Sequence, residues 1–193
     1  YMPFDNKRKI STKKFSKSDF DLPKDSFVLA AFHQNHKITK KEISSWSRIL
    51  KRLPSSILWI SDMNDDAKSN LLKYFSIQNV EAKRIYFCKR LDSIEEHLAR
   101  HSCADLFIDT FVYGAHSTAT DALRGGLPVL TFQRNNFASR VATSLLHNVD
   151  QPFMSTRTTK EYEEVAVKLA TSHRHILKRL KYKLTRKGMP NKY

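Results

Sequence analysis

The sequence predicts an α/β fold, a Rossmann-like doubly wound parallel sheet with helices on both faces. Three observations carry that expectation. Short apolar runs alternate with amphipathic segments through the middle of the chain, the pattern of parallel strands joined by crossover helices. The helical segments open on capping signals and stop at Pro or Gly. Three of the four glycines, Gly114, Gly125 and Gly126, fall in one stretch that reads as strand end, tight loop, helix and next strand.

Residues 1–24 read as an arm, closing on an entry turn at Leu22-Pro23-Lys24-Asp25. The first strand is the apolar run Phe27–Phe32. Thr39-Lys-Lys-Glu42 is a capping box, and Ile43, Trp46, Ile49, Leu50 and Leu53 then form one helical stripe that Pro54 ends. Ile57–Ile60 is the second strand, followed by a helix from Asp65 to about Ile77 and a third strand at Arg84–Phe87. Ser93-Ile-Glu-Glu96 is another capping box. The fourth strand, Leu106–Asp109, leads through the glycine loop into a helix from about Thr118 to Arg124, terminated by Gly125-Gly126. Pro128–Thr131 is the fifth strand. A further helix carries Phe137, Val141 and Leu145 at four-residue steps, and Thr158-Thr-Lys-Glu161 caps a late helix with Tyr162, Val165 and Leu169 inward. The expected organisation is an arm over 1–24, a ligand-binding lobe over 25–172 and a basic helix or tail over 173–193.

With 193 residues, 40% hydrophobic and 11% aromatic, the chain is expected to form one globular domain with a full core. No apolar run approaches the roughly 18 residues that span a bilayer. The first residues lack the apolar core of a signal peptide, and the absence of an initiator Met reads as a piece of a longer polypeptide. Cys88 and Cys103 have no ligand-like spacing and read as two buried thiols in a reducing cytoplasm, not as a disulfide or metal site. The net charge of +15 lies mainly at the two ends, with eight Lys or Arg and no acid from His173 to Tyr193. Such a tail can hold RNA, a membrane surface or an acidic partner, or be a solvated helix face. The expectation is a solvated face or an interface with another part of the protein, with no specific nucleic-acid binding. A non-enzymatic basic module that binds RNA or an acidic partner is the alternative function.

The candidate site grows from the loop. A helix opening on His116-Ser117-Thr118 after Gly114 presents first-turn amides without intrahelical partners, two hydroxyls and an imidazole, at the positive end of the helix dipole. Asp121, one turn further in, either accepts ribose hydroxyls or stabilises the helix N-terminus. After the first strand, Gln34 offers an amide and Lys37 a compact cation, suited to phosphate oxygens or to a plain polar loop. His97 and Arg100 stand three apart on a helix. They serve a base, sugar or phosphate, or are ordinary surface charges. All fall at the carboxyl ends of strands or in the helices that follow, where ligands bind in open α/β sheets. Neither G-x-G-x-x-G nor G-x-x-x-x-G-K-[ST] is present, which points away from dinucleotide enzymes and P-loop NTPases and toward a nucleotide-sugar. No Cys/His metal spacing and no paired hydrolytic carboxylates appear, so no metal is expected.

At these residues the chain resembles the C-terminal catalytic half of the O-linked N-acetylglucosamine transferases, glycosyltransferase family 41. The resemblance runs through Gln34-Asn35-His36-Lys37, Ile49-Leu-Lys-Arg-Leu-Pro54, Glu95-Glu96-His97, Ala104-Asp105-Leu-Phe-Ile-Asp109-Thr110 and Gly114-Ala-His116-Ser117-Thr118. It continues through Asp121-Ala-Leu, Ala138-Ser139-Arg140-Val141-Ala142 and Glu161-Tyr162-Glu163. Asp5-Asn-Lys-Arg8 is similar to the segment joining the family's two catalytic lobes. The resemblance implies the C-terminal lobe of a GT-B enzyme that binds UDP-N-acetylglucosamine and transfers sugar, with inversion and without a metal, to Ser or Thr of proteins. By position it implies that Gln34 and Lys37 hold the diphosphate, with Lys37 stabilising the leaving UDP. His116, Ser117 and Thr118 cradle phosphates, Asp121 bonds the ribose, and His97 and Arg100 serve the sugar-phosphate and base sides. It also implies as partners an N-terminal catalytic lobe and tetratricopeptide repeats in the parent protein, so that the isolated piece is inactive. Other donors, GDP-fucose or UDP-glucose, fit the same phosphate residues. The chain departs from the family pattern at Ile94, where a lysine is usual, and at Asn148-Val-Asp-Gln-Pro152, which lacks the usual glycine.

Overall fold

The computed structural model describes residues 8–187. Of the Asp5–Arg8 linker resemblance only Arg8 lies within it, and Lys192 of the basic tail lies outside. Six parallel strands form the sheet: β1 (Phe27–Ala31), β2 (Ser56–Ser61), β3 (Ile85–Cys88), β4 (Leu106–Ile108), β5 (Val129–Phe132) and β6 (Ser155–Thr156), in the order β3-β2-β1-β4-β5-β6. The five expected strands are present to within a residue at each end. The sixth has only two residues, too few for any periodicity to reveal.

The helices are α1 (Lys40–Arg52), α2 (Asp65–Ile77), α3 (Ile94–Ala99), α4 (Ser117–Arg124), α5 (Val141–Asn148), α6 (Thr159–Ala170) and α7 (Arg174–Lys187). Helix α1 packs on α2 and α6, and α4 on α3, α5 and α7. Covering both faces explains why β1 is buried throughout and reads as an unbroken apolar run. Trp46 of α1 and Trp59 of β2 are fully buried, each a side chain whose truncation costs about 3–5 kcal/mol. The bidentate pair of Arg48 with Glu163, joined by the Ser45 hydroxyl, ties α1 to α6.

One correction concerns the start of α5. The expected stripe of Phe137, Val141 and Leu145 is broken: Phe137 is 63% exposed, and the helix starts only at Val141. The Ser139 hydroxyl donates to Asn136 O and accepts from the Arg134 amide, closing the residues before α5 into a separate turn. At the other end, Asp150 adopts φ 58, the left-handed conformation that glycine takes most readily, within the stretch Asn148–Pro152 that carries no glycine. The paired glycines after α4 serve different needs. A Cβ on Gly125 would stand 2.6 Å from Leu98 O and 2.7 Å from His101 Cβ, whereas Gly126 is required by its φ of +78.

Helix α7 seats Leu177, Leu180 and Leu184 in the core and leaves Lys178, Arg179, Tyr182 and Lys183 exposed. Cys88 and Cys103 are free, buried thiols, and burial pushes Cys88 up to about 12. No helix among the described residues is long and apolar enough to cross a membrane.

Candidate functional site at the switch point of the sheet

The strand order reverses direction between β1 and β4, the switch point at which crevices open in such sheets. Beyond β1 the chain turns through one 3-10 turn, Asn35–Lys37, and beyond β4 it enters the loop from Asp109 to His116. These two exits meet. Lys37 Nζ donates to Gly114 O at 3.5 Å and stands 4.1 Å from the centre of the Tyr113 ring. The His116 ring stacks on Tyr113 at 4.9 Å, with its Nε2 at 3.1 Å from Ala138 O. Burial draws the Lys37 ammonium below the ordinary lysine value, and the negative charge of Asp109 opposes that shift.

Two buried carboxylates hold the loop. Asp109 Oδ1 accepts the amides of Thr110 and Ala115, each at 2.7 Å, and its Oδ2 accepts the Thr131 hydroxyl at 2.6 Å. Glu42 closes the N-terminus of α1 by accepting the Thr39 amide, and its other oxygen accepts the Phe111 amide across the crevice at 2.9 Å. Burial pushes Asp109 up to about 6 against the pull of its three hydrogen bonds. Behind it His33 is wholly buried, its Nε2 3.0 Å from Ile108 O, and burial holds its pKa down to about 4. It is therefore a neutral, structural imidazole.

Helices α1, α2, α3 and α6 close their first turns with side-chain caps from Thr39, Asn64, Ser93 and Thr158. Helix α4 has none. Its first-turn amides, with the exposed Ser117 and half-buried Thr118 beside them, remain available to an anion. Gln34 is exposed at the edge of the Lys37 turn, and its carbonyl accepts the Lys37 amide at 3.0 Å.

The other expected residues form a second group. Asp121 lies 3.8 Å from His97 Nε2 and 3.6 Å from Arg8 of the arm, and burial raises its pKa. His97 is held down to about 4 by burial and by the charges of Arg100 and Arg8. Arg100 parts company with His97 and is buried, its guanidinium 4.9 Å from the Phe32 ring centre and donating to Lys89 O at 2.8 Å. It is not an exposed surface charge. Ile94 is 51% exposed on the first turn of α3.

Sequence reasoning missed Asp109, Glu42 and Tyr113. A carboxylate at a strand end ahead of a glycine loop is visible in the sequence, but that pattern does not separate a loop anchor from a solvated side chain. The capping box disclosed only half of what Glu42 does.

The sequence profile of glycosyl transferase family 41 matches residues 6–191. The chain is 34% identical over 161 residues to a UDP-N-acetylglucosamine–peptide N-acetylglucosaminyltransferase of Caenorhabditis elegans, covering 83% of this chain and 14% of the relative. It is 35% identical over 155 residues to a probable enzyme of that name from Arabidopsis thaliana, covering 80% and 16%. Among solved structures, a mutant O-GlcNAc transferase of Thermobaculum terrenum aligns with a TM-score of 0.78 at 26% identity, over 83% of this chain and 31% of that one. The C-terminal domain of a glycosyl transferase group 1 family protein from Francisella tularensis aligns at 0.63 and 15% identity over 97% and 95%, a likeness of fold. This chain thus spans about one-sixth of the curated relatives it matches. With the parallel sheet, the switch-point loop and this match along nearly its whole length, the chain belongs to glycosyl transferase family 41.

Proposed function

We propose that this chain is the donor-binding lobe of a protein O-glycosyltransferase that uses UDP-N-acetylglucosamine and transfers the sugar to Ser or Thr hydroxyls with inversion. The observation that carries the reading is the convergence of the Lys37 ammonium and the uncapped N-terminus of α4 on one loop at the switch point. A diphosphate there meets a cation from β1's exit and the amides and hydroxyls of Ser117 and Thr118 from β4's, with Gln34 at the rim. As the bond from the sugar's anomeric carbon to the diphosphate breaks, negative charge grows on the leaving oxygen. Lys37 and the α4 dipole stabilise it without a divalent cation. The His116 ring, fixed by Ala138 O and the Tyr113 ring, walls the same phosphate site. Asp121 receives the ribose, with His97 beside it, and Arg100 borders the base side from its seat on Phe32. The free thiols support a reducing, cytoplasmic setting. A second catalytic lobe and repeats in a longer parent protein complete the active site and share in holding the acceptor, so the chain alone is expected to bind donor but not to turn it over.

Isothermal titration with UDP and GDP tests the reading. UDP is expected to bind in preference to GDP. Lys37→Ala is expected to weaken UDP binding by about 2 kcal/mol, the worth of one charge-assisted hydrogen bond to phosphate. Equal UDP affinity in the wild type and in Lys37→Ala would overturn it.

A further inference from the structure

Beside the loop lies a groove that the donor site does not use. One hollow of about 470 Å³ has Phe111 and Phe132 among its lining residues, together with Lys40, Lys41, Arg48 and Arg134. A second, of about 500 Å³, shares Phe132 and Arg134 and extends past Val112 to Arg157. Five cations line the two hollows and no carboxylate does, among the described residues. Arg48 is neutralised by Glu163, and Lys40 stands 5.1 Å from the centre of the Tyr74 ring. Lys41, Arg134 and Arg157 have no ion-pair partner among the described residues. An aromatic lining beneath unpaired cations suits a chain that carries negative charge along an apolar-tolerant backbone.

We propose that this groove docks an acidic segment of the polypeptide acceptor, an inference that rests on the donor-lobe reading above. Two features favour an acceptor over another polyanion. The groove borders the donor-site loop, since Phe111 and Val112, which line it, belong to the loop that holds Gly114, and Lys40 lies three residues after Lys37. Its cations also come from three separate segments: α1, the loop after β5 and the residue after β6. An extended peptide advances about 3.3 Å per residue. A few residues lying across this groove therefore carry a Ser or Thr toward the position of Lys37. Steering by unpaired rim cations raises the encounter rate for acidic sequences and disfavours basic ones.

The test is fluorescence anisotropy of a labelled Glu-rich peptide containing one Ser, titrated with the full chain at two salt concentrations. Arg134→Glu combined with Arg157→Glu is expected to weaken binding about tenfold or more. Lys178→Glu with Lys183→Glu on the exposed face of α7 is expected to change it by less than about twofold. A Gln-for-Glu peptide should not bind. Circular dichroism melts verify folding, and Arg134→Gln with Arg157→Gln serves if the reversed variant does not fold. Equal weakening by the α7 reversal means that bulk charge alone holds the peptide, and overturns the proposal. So does a single-stranded RNA of equal charge that binds more tightly and is released by the groove reversal. UDP calorimetry on the same variants separates the two readings. Peptide binding that persists in a chain unable to bind UDP sinks the donor reading alone, and UDP binding that survives the groove reversal while peptide binding disappears supports both.

Discussion

At the end of β4 one carboxylate takes two loop amides on one oxygen and a hydroxyl from β5 on the other, while Tyr162 donates its hydroxyl to the same residue's carbonyl at 3.0 Å. Removing the Asp109 carboxylate leaves two amides and a hydroxyl buried without partners, each worth about 1–3 kcal/mol. Asp109→Ala is therefore expected to destabilise the chain by about 3 kcal/mol or more in urea unfolding and to abolish UDP binding. Asp109→Asn keeps an acceptor for the two amides, so it should fold and melt close to the wild type. What it removes is the negative charge that opposes the depression of Lys37's pKa. Its UDP affinity should then fall with pH-dependence shifted toward lower pH, read by titration across the alkaline range. An Ala variant that keeps both stability and UDP affinity would show the loop to be held elsewhere. Lys37, Gly114 and the His116-Ser117-Thr118 run were legible in the sequence because each has unusual chemistry for its place. Asp109 was not, since a strand-end Asp looks the same whether it faces water or anchors a loop.

Among the elements, α4 and its flanks show how backbone geometry was half legible. Gly125-Gly126 reads as a helix stop and is one. The sequence could not say that Gly125 is required by proximity to α3's end and not by its own dihedrals, because that neighbour is distant in sequence. A Cβ at Gly125 meets Leu98 O, a backbone atom, at 2.6 Å, and His101 Cβ at 2.7 Å, so neither neighbour can give way without moving the segment from α3 to β4. Overpacking of this kind costs about 1–3 kcal/mol. Gly125→Ala is thus expected to lower the stability measured in denaturant by that amount and to disturb His97, whose carbonyl accepts from His101 Nδ1 at 2.9 Å. A substitution without effect on stability would mean that α3 and α4 are free to separate. The capping box at Thr39 placed α1 correctly, and Ser93 caps α3 as expected although Glu96 pairs with Lys13 and leaves that box half formed. The start of α5 was less legible because Ser139 bonds locally, a competition that hydrophobic spacing does not register.

Over the whole molecule the parallel sheet was legible from its apolar runs, while its strand order was not, since pairing depends on contacts no local pattern encodes. The same burial that makes the core sets its response to acid. His33 and His101 are wholly buried and held down to about 4 and about 3, and His97 to about 4, from an ordinary 6.5. As pH falls through 6.5 the unfolded chain binds these three protons and the native chain does not. The stability they contribute is therefore complete above that pH and is lost as pH falls toward 4. Asp109 acts with the opposite sign. Its folded value of about 6 lies above the ordinary 3.8, so the native chain takes up that proton first and gains stability over the same descent. Asp121, also raised by burial, acts in the same direction as Asp109, and three imidazoles against two carboxylates leave a net loss. Urea midpoints measured from pH 7 down to pH 4 are expected to fall continuously. His101→Gln keeps a donor for the His97 and Leu98 carbonyls but does not titrate, and should flatten that decline. A profile that rises on acidification would mean that Asp109 and Asp121 outweigh the three imidazoles and that the surroundings of those rings admit water.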